Sequence, residues 1–107
     1  MYADATMDYI PMLALGAIFL VLGCFNIKGN ISSIHWYNRR KVLPEDVPAY
    51  GKAMGTGTVI MGVALMLTAI LQIFFETEGL YYITVAGAVI GLGFMLYGQF
   101  KYNHGIF

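Results

Sequence analysis

Residues 53–75 read AMGTGTVIMGVALMLTAILQIFF and residues 79–100 read GLYYITVAGAVIGLGFMLYGQF. Neither stretch contains Asp, Glu, Lys, Arg or His. A helix needs about 20 predominantly apolar residues to cross the hydrocarbon core, and each stretch meets that length. A charge at the centre of such a helix would cost at least about 3 kcal/mol. Only Glu76-Thr77-Glu78, with Gly79 opening the second stretch, joins the two, and so short a link forces an antiparallel helix hairpin. Upstream, residues 9–27, YIPMLALGAIFLVLGCFNI, pass the same test. The fold expected is therefore an all-α integral membrane domain over residues 1–107. Its three transmembrane helices lie at about 9–27, 53–75 and 79–100, and 28–52 form the long connection.

Composition agrees. Of 107 residues, 59% are apolar and 11% charged, against about a quarter charged in soluble domains. A soluble chain this short has a high surface-to-volume ratio and would have to expose apolar surface to water. The net charge is zero, without the basic excess that nucleic-acid binding needs. The first span is not expected to be a cleaved signal, because residues 1–8 carry Asp4 and Asp8 and no base, and signals begin with a basic region.

The bases set an orientation. Lys28, Arg39, Arg40, Lys41 and Lys52 flank the first connection, and Lys101 follows the third span. The other side has Asp4, Asp8, Glu76 and Glu78. The positive-inside rule places 28–52 and the C-terminus in the cytoplasm and the N-terminus and 76–78 outside. The membrane expected is a cell membrane, the inner membrane of a bacterium or archaeon. Tyr9, Trp36, Tyr37, Tyr50, Phe74, Phe75, Tyr81, Tyr82, Tyr97, Phe100 and Tyr102 fall near the ends of spans, where amphipathic rings favour the interface.

Small residues form stripes. Gly51, Gly55, Thr58 and Gly62 follow helical spacing in the second span; Gly87, Gly91 and Gly98 do so in the third, and Gly16 and Gly23 in the first. Interior glycine weakens a helix, whereas in lipid small residues let helices approach closely. These stripes are candidate packing surfaces, either among the three helices or against another chain. Among polar residues within spans, the Thr hydroxyls are expected to bond to their own helices, while Gln72 and Gln99 lie close enough to the ends to reach headgroups. Asn26, Thr68 and Gln72 are the candidates to line a pathway.

The connection carries most of the polar chemistry. Ser33–Tyr37 is expected to form an interfacial turn with Ile34 and Trp36 dipping toward lipid. Arg39, Arg40 and Lys41 would meet anionic headgroups at about 1 kcal/mol each. Pro44-Glu45-Asp46 reads as a helix start, which requires Pro48 to lie in a first turn as well. His35, Trp36, Tyr37, Asn38, Arg39, Arg40 and Lys41 form the candidate membrane-surface or partner loop. His35 is expected to be an interfacial polar residue, and lone Cys24 a small residue in lipid or at a helix contact. No nucleophile paired with a base, HExxH, phosphate loop or CxxC occurs. No catalytic residue, cofactor or metal ligand is therefore expected.

The run Ile34-His35-Trp36-Tyr37-Asn38, followed by bases, Pro44-Glu45-Asp46, Tyr50 and Gly55, resembles a family of small bacterial three-span membrane proteins of uncharacterised function. It is similar to the C-terminal part of the sporulation-delaying toxin immunity proteins. The resemblance covers about residues 10–75, with Trp36 where the family has Gly before the aromatic–Asn pair. It implies a three-span protein with this loop inside the cell, and a toxin-immunity role rather than catalysis. From the residues themselves, the function expected is a non-catalytic membrane protein working through helix–helix contacts, as a homo-oligomer or as a subunit of a membrane complex. An oligomeric channel or exporter is the alternative, and an immunity or signalling protein a third reading.

Overall fold

Two prolines and two acids start the helix on which the others rest. Pro44–Asp46 form a 3-10 turn, with Glu45 and Asp46 in its first turn, and Pro48 falls in the first turn of the α-helix that follows. There its missing N–H leaves no helical bond unmade. The computed structural model describes residues 2–107, with side chains from Asp8 onward; Asp4, assigned to the outward terminus, lies outside the described side chains. The α-helices are α1 (Tyr2–Ile27), α2 (Trp36–Arg39), α3 (Val47–Phe75) and α4 (Tyr81–Tyr102), with a second 3-10 turn at Glu78–Leu80. No strand occurs among the described residues. Three helices are long and apolar enough to cross a membrane, over Asp8–Ile27, Pro44–Phe75 and Glu78–Tyr102.

Helix α3 begins at Val47, earlier than the apolar run from Ala53 indicates, because the Pro-acid start and the residues through Lys52 continue the helix. Its 29 residues span about 43 Å, more than the roughly 30 Å hydrocarbon core. At the other end Glu76 takes a left-handed conformation, with φ 44°, and its N–H donates to the Gln72 carbonyl at 3.0 Å. The Gln72 side chain brackets Thr77, donating to its carbonyl at 2.7 Å and accepting from its N–H at 2.8 Å. Gln72 is thus 1% exposed. It turns inward to cap the helix end rather than outward to headgroups.

Helices α1 and α4 both pack on α3 and touch each other little among the described residues. The small-residue stripes are where they meet it. A Cβ at Gly16 would lie 2.9 Å from the Gly62 carbonyl oxygen, and one at Gly23 would lie 2.9 Å from that of Gly55. On the other flank a Cβ at Gly91 would lie 2.7 Å from the Gly57 carbonyl oxygen, one at Gly87 would strike the Ala64 Cβ, and one at Gly98 would lie 3.0 Å from the Ala53 Cβ. In both sets, the later the position on α3, the earlier its partner on α1 or α4. All the predicted glycines therefore face helices of their own chain. Thr58 does not join this contact. It is half-buried beside a groove and donates to the Met54 carbonyl at 2.8 Å.

Between α3 and α4, Thr84 donates to the Thr68 hydroxyl at 2.8 Å while Thr68 donates to the Ala64 carbonyl at 2.7 Å. One of these threonines thus links two helices, where bonds within a single helix were expected. The outward surface is apolar, with Leu15, Ile18 and Val21 on α1, Val63, Leu67 and Phe74 on α3, and Val85 and Val89 on α4 all exposed.

Candidate functional site at the basic end

Helix α3 starts, and α1 and α4 end, at the same end of the bundle. All six Lys and Arg residues lie there, alongside only Glu45 and Asp46 among the acids. Beneath these charges is a small apolar cluster of Ile31, Tyr50 and Met54, with Ile34, Val42, Val47, Met95 and Tyr102 packed against it. Ile34, expected to point toward lipid, is partly buried against this cluster. Trp36 stays 60% exposed.

A polar network sits on this cluster. The Tyr50 hydroxyl, fully buried, donates to the Gln99 Oε1 and lies 3.4 Å from the Asn38 carbonyl. The Gln99 Nε2 faces the carbonyls of Asn38 at 2.9 Å and of Gly105 and Ile106 at 3.1 Å each. Asn38 Nδ2 donates to the Ile106 carbonyl at 2.7 Å. Asn103, also fully buried, accepts from the Lys41 N–H and donates to the Gly105 carbonyl, both at 2.8 Å. The chain reaches these positions by turning back after α4 through His104 at φ 59° and Gly105 at φ 152°, a region glycine adopts freely. Tyr50 and Gln99, assigned from sequence to the interface and to headgroup contact, both turn into the protein. There their polar atoms find carbonyls and each other, which offsets the cost of burial.

A second polar group joins α1 to the connection. Asn26 Nδ2 donates to the Asn30 carbonyl and to the Ser33 hydroxyl, both at 2.9 Å. No buried side-chain nitrogen or oxygen among the described residues lacks a partner.

The predicted loop residues divide between these bonds and solvent. His35 caps α2, its Nδ1 accepting from the Tyr37 N–H at 3.2 Å. Arg39 Nε donates to the Ile34 carbonyl at 2.8 Å. The Arg40 guanidinium lies 4.4 Å from the centre of the Tyr37 ring, which packs on Phe107 at 5.4 Å. Trp36 stands edge-on to Tyr37 at 5.5 Å. Lys41 is exposed. The residues facing outward together are thus His35, Trp36, Tyr37, Arg40 and Lys41, while Asn38 and Arg39 hold the loop to the bundle. Cys24 is exposed on α1.

Sequence reasoning missed Asn103 and Gly57. Gly57 had a signal, since Gly57, Ala64 and Thr68 repeat the spacing of small residues on the α4-facing side of α3. Asn103 had none, being one more polar residue in a C-terminal tail. Among the described residues no three His, Cys, Asp or Glu side chains gather where they would hold a metal ion. Comparison of the chain with models of known families, with curated proteins and with solved structures gives no match.

Proposed function

We propose that this chain is a non-catalytic multi-pass protein of a cell membrane that acts through its outer helix faces, as a homo-oligomer or as a small subunit of a membrane complex. One observation carries the reading. The buried polar side chains are paired within the chain, and what points away from the bundle is apolar side chain over the spans and base at one end. Such a surface recognises lipid and other helices, and its one thiol, Cys24, stands alone on α1. In this reading α3 and α4 cross as an antiparallel hairpin, with the basic end in the cytoplasm and Glu76 and Glu78 outside, as the positive-inside rule requires. Asn26, Thr68 and Gln72 direct their polar groups into internal bonds, so these observations favour a contact role over a channel or exporter.

The toxin-immunity reading keeps one specific support. Two residues that carry the resemblance, Asn38 and Tyr50, meet in the network, and a third, Gly55, packs on α1. In that reading they hold the exposed Trp36, Tyr37 and Arg40 in position for a partner.

The test is the mass of the particle extracted from the membrane without denaturation. Two or more copies, or one copy with another protein, supports the proposal. A lone 107-residue chain at every concentration and in every mild detergent contradicts it.

A further inference from the structure

We propose that the open groove between α3 and α4 at the basic end is a binding site for one anionic phospholipid. The groove has a volume of about 640 Å³. Its deeper part is lined by Ala53, Thr56, Ile90, Gly93 and Phe94. Gly93 is the residue that opens it. A Cβ there would meet nothing within 4 Å, unlike those at Gly87, Gly91 and Gly98 on the same helix, so Gly93 is not explained by packing within the chain. A glycine at that point costs helix stability and leaves room beside Phe94 for an acyl chain.

The end of the groove nearer the basic surface has different chemistry. Lys52, Tyr97 and Tyr102 line it. Lys101 donates to the Tyr97 hydroxyl at 2.9 Å, and its ammonium lies 5.3 Å and 5.6 Å from the ring centres of Tyr97 and Tyr102. These contacts hold it beside the groove with N–H donors to spare. An apolar slot that ends at Lys52 and two phenols, one of them bonded to Lys101, on a bundle end with six bases and two acids, suits an anionic phospholipid: acyl chain in the slot, phosphate toward the lysines. The polarity also matches the bilayer, since Lys52 and Lys101 lie about one to two helical turns from Thr56 and Gly93 along their helices. The site does not depend on whether the chain self-associates, because a single chain forms the whole groove.

The experiment is native mass spectrometry of the protein released from nanodiscs of equal parts palmitoyl-oleoyl phosphatidylglycerol and phosphatidylcholine. One phosphatidylglycerol per chain is expected to survive release, with phosphatidylcholine lost. Gly93→Leu fills the slot and abolishes the adduct, while helix content is retained because leucine is the better helix former. Lys52→Gln and Lys101→Gln each weaken retention by about fivefold without filling the apolar part of the slot. Equal retention of both lipids overturns the proposal, as does undiminished phosphatidylglycerol in all three variants. A co-purifying protein chain lost on Gly93→Leu also overturns it, by giving the groove a protein occupant.

Discussion

The Tyr50 hydroxyl donates to the Gln99 side-chain oxygen across 49 residues of sequence, joining the start of α3 to the end of α4. Around that bond the connection and the C-terminal turn are fastened to the bundle. Removing the donor strands a buried acceptor. Tyr50→Phe is expected to cost about 1–3 kcal/mol, read as a loss of thermal stability in mild detergent. Combined with Gln99→Leu it should cost less than the two single changes added, the sign of a direct coupling. Strict additivity would place the bond's importance elsewhere.

Close approach of helices makes the second prediction. Gly55→Ala sets a methyl against the Gly23 carbonyl oxygen; backbone cannot yield as a flexible side chain can, so a loss of about 1–3 kcal/mol is expected. Gly93→Ala meets open space and should be neutral or stabilising by up to about 1 kcal/mol. Thermal unfolding of the two variants side by side checks the contrast, and equal effects would refute the packing described for α1 on α3.

The turn after α3 supplies a third. Glu76 occupies a left-handed conformation that disfavours side chains other than glycine by about 1 kcal/mol. Glu76→Gly should therefore raise stability slightly, whereas Gln72→Ala, which removes both bonds to Thr77, should lower it by more. Unfolding curves in the same detergent decide the sign of each.

The spans were legible because crossing hydrocarbon imposes a length and forbids charge, and 53–75 and 79–100 satisfy both. Most glycines at close helix contacts were legible too, Gly57 excepted, since few roles in lipid make an interior glycine useful. Which partner each stripe faces was not legible. Helical spacing groups Thr58 with Gly55 and Gly62, yet Thr58 lies far enough around α3 to border a groove. The polar network was hidden for another reason. An aromatic near a span end reads as interfacial whether it is exposed, as Tyr82 is at 76%, or sealed in protein, as Tyr50 is. Telling them apart needs the pairing of Asn38 and Lys41 with Gln99 and Asn103, more than sixty residues distant, and no local pattern encodes it.

The helix-linking hydroxyls give a fourth prediction. Thr84→Val removes the donor to Thr68 while keeping shape, and a loss of about 0.6 kcal/mol is expected, the usual value for such bonds in membranes. Thr68→Val should cost more, because Thr68 is fully buried and also bonds to the Ala64 carbonyl. The order of the two in an unfolding series is the check.

Three crossings with the basic end in the cytoplasm follow from the placement of the bases, and side-specific labelling separates this topology from its inverse. With Cys24, the chain's one cysteine, replaced by Ala, single cysteines are introduced as Arg40→Cys, in the exposed loop, and Glu78→Cys, in the exposed turn between α3 and α4. Intact cells are treated with a membrane-impermeant maleimide. The Glu78→Cys protein is expected to label at once and the Arg40→Cys protein only after the membrane is opened. Labelling of both from outside, or the reverse pattern, would contradict this topology.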